Sequence, residues 1–202
     1  MLGSLNFLKG QLLAEALRVD TAYDAALTAI GTGVAGQFEQ WCNRKFARVA
    51  DDTCTFSADR DHFYLPRTPL ESIASVELKT GHATDFAAIT DAIANSDYHS
   101  GLIYFAGGVA HWSDTVRVTY TGGFWFDTSE DATGAMPEGA TALPGELQLA
   151  WILQCQEVWN KKDKLGLGLA GTDPDKKPSF STLELLPNVK ETLAAFRRYQ
   201  IT

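Results

Sequence analysis

Apolar positions recur at steps of three and four along one long early segment. From Asp20 to Phe46, the residues Tyr23, Leu27, Ile30, Val34, Phe38 and Trp41 fall on one stripe of a 3.6-residue helix, and Asp20 stands where it can cap the start. Gly31, Gly33 and Gly36 interrupt this stretch. Each costs about 1 kcal/mol relative to alanine inside a helix, so either packing holds the helix or a neighbouring group approaches closely there. The same periodicity returns over 143–163, where Leu147, Trp151, Gln154 and Val158 follow at steps of four, three and four. Pro144 suits the first turn of that helix, and Lys161, Lys162 and Lys164 suit its negative C-terminal end. A last helix is expected within 186–201. Asn188 precedes Glu191 at capping-box spacing, Val189, Leu193 and Phe196 share a face, and Arg197 and Arg198 lie near the end.

Between the early and late helices the pattern changes to short runs rich in β-branched and aromatic residues. Strands are expected at Thr53 to Ala58, His62 to Leu65, Ile73 to Lys79, Leu102 to Ala106 and Thr115 to Thr121. In the last of these Val116, Val118 and Tyr120 alternate with Arg117 and Thr119. These segments make a small antiparallel β unit over 53–123. One short helix is expected inside it at Asp85 to Asn95, from Phe86, Ile89 and Ile93 at steps of three and four. Residues 122–143 and 165–185 read as loops because glycine, proline and charge break the periodicity, and the second is expected to be flexible. The fold class that follows is α+β, mainly α: a bundle of three to four helices carrying an inserted antiparallel β unit, taken as a single domain over 1–202.

Composition narrows the function. At 202 residues, with 45% hydrophobic and 21% charged residues, the chain can bury a core without disulfide or metal staples. The formal charge of −8 argues against a protein whose work is to grip nucleic-acid phosphates. That charge is uneven. Five basic and four acidic residues in 1–50 give +1, four and fourteen in 51–143 give −10, and eight and seven in 144–202 give +1. The acid is therefore concentrated in the middle of the chain, as either a solvated face or a surface that repels a polyanion.

Candidate chemistry is sparse. Cys42, Cys54 and Cys155 are odd in number and lack metal-ligand spacing, so buried reduced thiols in a cytosol-like compartment are expected. The start, Met1 to Ala16, lacks the basic and continuous apolar stretches of a signal peptide, and no run is long enough to span a membrane. Gly166, Gly168 and Gly171 match the spacing of a dinucleotide-binding loop, but the strand before and helix after that this mechanism needs are missing. His62, His82, His99 and His111 sit in or beside different β segments, Asp59 and Asp61 flank Arg60 in a charged turn, and no serine lies in a nucleophile elbow. The residues thus point away from an enzyme and call for no cofactor and no metal. Trp112, Tyr120, Phe124, Trp125 and Phe126 cluster along the chain, as a ligand platform or as core and subunit-interface packing.

Five segments, in order, resemble the head-to-tail connector proteins (adaptor, or head-completion, proteins) of tailed bacteriophages. They are FEQWCNRKF (Phe38 to Phe46), YLPRTPLESIASVEL (Tyr64 to Leu78), VRVTYTGGF (Val116 to Phe124), LPGELQLAWILQCQEVWNKKD (Leu143 to Asp163) and LPNVKETLAAFRRYQI (Leu186 to Ile201). Residues from about 80 to 112 and from 124 to 142 are extra relative to compact members, and Met1 to Val19 has no counterpart. The resemblance implies a structural virion protein, assembled in the host cytoplasm. It would form a ring, usually of twelve copies, between the portal and the stopper or tail proteins, with double-stranded DNA passing through the lumen unbound and no membrane involved. It also implies a C-terminal segment that docks on the portal, carried over to Pro187, Val189, Leu193, Phe196, Arg197, Arg198 and Tyr199; the bland alternative is a helix closing the chain's own bundle. Acidic candidates for the lumen are Asp51, Asp59, Asp61, Asp127, Glu130 and Asp131, whose charge would repel duplex phosphates. A tail-completion protein that binds the tail tube is the alternative, followed by a β-type carbohydrate-binding or hydrolase domain.

Overall fold

In a computed structural model, described over residues 1–58, 60–81, 85–89, 93–105, 114–126, 134–161 and 184–198, the helical segments come from the two ends of the chain and the strands from its middle. Two compact units result. Met1–Cys42 and the stretch from Pro144 onward make a helical unit, and Asn43–Phe126 with Ala135–Leu143 makes a β unit. Asp59, Asp127, Glu130, Asp131, Tyr199, Trp112, His82, His111 and the glycines of the 165–183 stretch lie outside the described residues.

The helical unit holds α1 (Leu5–Leu12), a short 3-10 turn (Glu15–Leu17), α2 (Asp24–Cys42), α3 (Gly145–Lys161) and α4 (Pro187–Ala194). The sequence stripes account for the burial. On α2, Leu27, Val34 and Phe38 face the core, joined by Gly31, Ala35 and Cys42; on α3, Leu147, Trp151, Gln154 and Val158 do so with Ala150 and Cys155. Gly31 is where close approach is needed. A Cβ there would stand 2.9 Å from Met1 Sδ and 3.0 Å from Trp151 Cζ2, whereas Gly33 and Gly36 face open space. The Trp151 indole Nε1 donates to the Gly31 carbonyl at 3.0 Å, so the same contact satisfies the largest polar-tipped side chain of the core. Helix α1, which the apolar pattern does not predict, is capped by the Ser4 hydroxyl accepting from the Phe7 N–H. Its Lys9 is buried and donates to Asp24 Oδ1 at 2.6 Å and to the Asp20 carbonyl at 2.8 Å, tying α1 to the start of α2.

The β unit is larger than expected, and the mainly helical bundle is overturned. Among the described residues there are nine strands: β1 (Val49–Ser57), β2 (His62–Tyr64), β3 (Leu70–Lys79), β4 (Ala87–Ala88), β5 (Ile93–Asp97), β6 (Leu102–Phe105), β7 (Thr115–Gly122), β8 (Phe124–Trp125) and β9 (Thr141–Ala142). They form an antiparallel sheet in the order β1-β7-β3-β4, an antiparallel sheet β2-β6-β5 and a parallel pair β8-β9, so the fold is mixed α and β. The helix expected over Asp85 to Asn95 does not form; β4 and β5 occupy that stretch. Ile89 and Ile93, whose spacing mimics a helix turn, both pack on the β core. Short strands meeting one core from two directions reproduce that spacing without a helix. Phe63, Leu65, Val76, Ile103, Phe105, Val116, Val118 and Tyr120 fill the centre of this core.

The expected bounds shift elsewhere. The early helix starts at Asp24 and stops at Cys42, not at 20 and 46, and Asn43 then adopts a positive φ of 50° that ends it. The last helix begins with Pro187 in its first turn, not with an Asn188 capping box. Proline is pre-set for that position, and Asn188 Oδ1 instead accepts from the adjacent Val189 N–H.

Candidate functional site

Three of the segments that carry the family resemblance meet in the β unit. The stretch after Cys42 runs between the Pro66–Pro69 turn and the Gly122–Phe124 turn. Lys45 N–H donates to the Pro66 carbonyl, Phe124 N–H to the Phe46 carbonyl, Arg48 N–H to the Phe124 carbonyl and Gly123 N–H to the Pro69 carbonyl, all at 2.7–2.9 Å. The paired glycines of VRVTYTGGF are explained by this crossing. A Cβ on Gly122 would meet the Arg67 and Pro69 carbonyls at 3.0 Å, and one on Gly123, at φ +100°, would meet the Ala47 carbonyl at 2.6 Å.

Side chains lock the crossing. The Arg67 guanidinium pairs with Asp52 at 2.5 Å and donates to the Ala47 carbonyl at 2.7 Å, while its backbone N–H donates to the buried Tyr120 hydroxyl at 3.1 Å. Arg48 makes a two-pronged pair with the largely buried Glu71 at 2.7 and 2.8 Å, and this pairing raises the Arg48 pKa further. Arg44 donates to the Thr68 carbonyl and lies 5.3 Å from the ring centres of both Phe46 and Phe124, which stack on each other. The arrangement is mechanical. Its cations are held by carboxylates, carbonyls and rings of the same unit. Desolvation drives the Tyr120 phenol well above its ordinary pKa, so it stays a neutral hydrogen-bonding post.

Of the docking candidates, Pro187, Val189 and Leu193 lie on α4 in the helical unit, whereas Phe196, Arg197 and Arg198 follow its end at Ala194. Val189 and Leu193 are spent on that unit's own core, at 1% and 0% exposure. Gln154, the polar member of the α3 stripe, holds the entry to α4: its amide donates to the Glu184 carbonyl at 3.1 Å and its oxygen accepts from the Leu186 N–H at 2.9 Å. The exit is fixed by the Arg198 N–H donating to the Cys42 carbonyl at 2.9 Å. Lys190 Nζ and Arg197 Cζ lie 5.7 and 5.1 Å from the centre of the Trp41 ring. Phe196 is half-buried, whereas Pro187 and Arg197 are exposed. Beside them α3 and α4 bound a groove of about 160 Å³ lined by Leu149, Ala150, Leu153, Asn188, Val189 and Thr192, with Leu149 57% exposed.

The acidic candidates are not drawn together where they are described. Asp51 is exposed at the start of β1, with φ 51° at a bulge, and Asp61 is exposed in the turn after β1 ends. The six steps from Asp51 to Ser57 at the end of the strand alone span about 20 Å at a rise near 3.3 Å each. Hydrogen bonding from His62, at 2.7 Å, lowers the Asp61 pKa, and a bond from Ser100 lowers that of Asp97, so both carboxylates stay charged in mildly acidic solution. Of the aromatic cluster, Tyr120 and Phe124 are buried and Trp125 and Phe126 half-buried. Among the described residues no three of His, Cys, Asp and Glu come together as a metal site, and no helix is long and apolar enough to cross a membrane.

The fold defined by these two units recurs in known particles. Chains of similar structure occur in the neck of an empty gene transfer agent particle computed with C6 symmetry, with a TM-score of 0.63 and 17% identity over 98% of this chain and 90% of that one. Another is found in the virion of a native gene transfer agent particle, with a TM-score of 0.58 and 14% identity over the same shares. A third belongs to the neck of the native particle computed with C12 symmetry, with a TM-score of 0.53 and 15% identity over 89% and 85%. No protein-family model matches the sequence. No curated protein matches it either.

Proposed function

We propose that this protein is a non-enzymatic structural subunit of the neck of a tailed-phage-type particle. There it forms a ring between the portal and the stopper or tail proteins and leaves a channel for double-stranded DNA. The observation that carries this reading is fold similarity, across nearly the whole chain, to chains found in the neck of a gene transfer agent. Those necks were computed with sixfold and twelvefold symmetry, and a ring of identical subunits is the arrangement such symmetry describes.

The chemistry of the two units fits that role. In the β unit Arg48, Arg67 and Arg117 are each held by a carboxylate, of Glu71, Asp52 and Glu77. Exposed Asp51, Asp61 and Asp97 then leave its surface acidic, which suits a wall past which a polyanion slides. On α4, exposed Pro187 and the adjoining groove offer a surface to a portal after Val189 and Leu193 are buried within the subunit. Electron microscopy of the purified chain mixed with its cognate portal tests the reading. A second ring at one end of the portal is expected. Bare portals with the chain bound to tail tubes instead overturn the adaptor reading in favour of tail completion.

A further inference from the structure

Among the described residues the longest edge strand, β1, has no strand paired on its outer side. In the four-stranded sheet β1 lies at one end and has β7 as its only neighbouring strand among the described residues, while β4 lies at the other end. The Ala58 N–H donates to the Asp114 carbonyl on the β7 side. Antiparallel alternation then turns the backbone groups of Cys54 and Phe56 toward β7 and those of Thr53, Thr55 and Ser57 outward, where the Thr53 N–H donates to Asp52 Oδ1 at 3.1 Å. The side chains, which project from the two faces of the sheet, alternate as well: Thr53, Thr55 and Ser57 are exposed and Cys54 and Phe56 half-buried.

Soluble proteins blunt such edges with lysine, proline, extreme shortness or a bulge. The β4, β2 and β5 edges are two, three and five residues long. β1 has nine residues with neither lysine nor proline. Its bulge lies between Val49 and Asp52, which leaves the regular run Thr53–Ser57 uncharged and uninterrupted. A run of this kind is a template for one more strand.

We infer that the bare edge of β1 is taken by the β4 edge of the next copy, so that neighbouring subunits join into one continuous sheet. This rests on the ring reading above. Strand direction supports β4 as the occupant: alternation along β1-β7-β3-β4 makes β4 run opposite to β1, so a neighbouring β4 continues the antiparallel order. The fit is also steric, since Ala87 and Ala88 are small and exposed. Because the Ile89 N–H donates to the Val76 carbonyl, alternation turns the Ala88 N–H outward, toward an incoming strand. The contact is heterologous, each copy giving one edge and accepting the other, which is the kind of interface that closes into a ring.

Proline supplies the test. At an outward-facing edge position it removes no ladder hydrogen bond within the subunit but blocks strand addition. Thr55→Pro and Ala88→Pro in the full chain are expected to keep the wild-type melting temperature within a few degrees and to lower the yield of rings on portal at least tenfold. A Thr55→Cys copy mixed with a differently tagged Ala88→Cys copy is expected to give a mixed disulfide on oxidation, a readout that holds even if a proline variant fails to fold. Rings at the wild-type level from both proline variants, or wild-type rings without the mixed disulfide, overturn the edge contact while leaving the ring intact. Absence of rings from the wild-type chain takes down the ring reading itself, and this inference with it.

Discussion

The two units hold themselves together by different means. In the helical unit the described contacts that bridge distant segments are mostly apolar, with Trp151 lodged against Gly31, and a buried charge, Lys9, ties α1 to α2. In the β unit, alongside an aromatic and valine core, long-range ion pairs staple the turns: Arg48 to Glu71, Arg67 to Asp52 and Arg117 to Glu77. The difference follows from how each is built. Helices from opposite ends of the chain can meet only through their stripes, whereas the β unit is an insertion whose turns cross at one place and need geometric locking. The acid excess of the middle of the chain is therefore partly structural, because some of its carboxylates restrain arginines.

The largest expected effect tests the apolar side of this contrast. Trp151→Ala removes a fully buried indole and its hydrogen bond to the Gly31 carbonyl, and should cost about 3–5 kcal/mol. Thermal unfolding followed by far-UV circular dichroism checks it; a loss under 1 kcal/mol refutes the packing role. Next come the charges. Asp24→Ala leaves Lys9 buried without its carboxylate and should cost about 2–3 kcal/mol, at the low end for a buried pair because Asp24 is one-third exposed. Glu71→Gln in the β unit should cost about 1–2 kcal/mol, since Arg48 is partly solvated and retains one acceptor. Denaturant titration of both variants sharpens the comparison: the β-unit substitution matching or exceeding the helical one would reverse it.

Helices α2 and α3 were legible because apolar stripes at 3.6-residue spacing are long enough to exclude a strand. The burial of Leu27, Val34, Phe38, Leu147, Trp151 and Val158 follows from that spacing alone. Gln154 shows the limit: its place on the stripe was visible, but its partners, Glu184 and Leu186, lie thirty residues onward. Helix α1 was passed over because Lys9 reads as polar, whereas the lysine turns inward to a carboxylate. The signal was Ser4 followed by Leu5, Leu8 and Leu12. The helix expected at 85–95 failed because an eleven-residue window cannot distinguish one amphipathic turn from two short strands. For the candidate site, the motif segments were legible but their crossing was not, since it depends on backbone bonds between residues up to about eighty apart, such as Phe124 to Phe46.

A smaller effect is shared by the two units. Burial pushes the Cys155 thiol in α3 and the Cys54 thiol in β1 up to about 12 from an ordinary 9.0. Above pH 9 the unfolded chain releases these protons while the folded chain keeps them, so stability should fall as pH rises from about 9 toward 12. Cys54→Ser and Cys155→Ser variants should flatten that fall in a urea titration series, each by its own share. At pH 8 both thiols should resist alkylation until denaturant is added, and rapid labelling of either in the native protein would contradict its burial.

The smallest effect isolates backbone from packing on α2. Gly33 and Gly36 meet nothing within 4 Å, so an alanine there adds helix propensity without a clash, and Gly33→Ala should stabilise by about 0.5–1 kcal/mol. Gly31→Ala carries the same propensity gain, but its Cβ would stand 3.0 Å from the Trp151 ring and 3.2 Å from Leu8 Cδ2. The ring cannot retreat without losing its bond to the Gly31 carbonyl, so this substitution should destabilise. Paired melting curves decide the matter through opposite signs. If both alanines stabilise, the α2–α3 contact has room to relax, and the apolar packing that distinguishes the helical unit is looser than the Trp151 geometry requires.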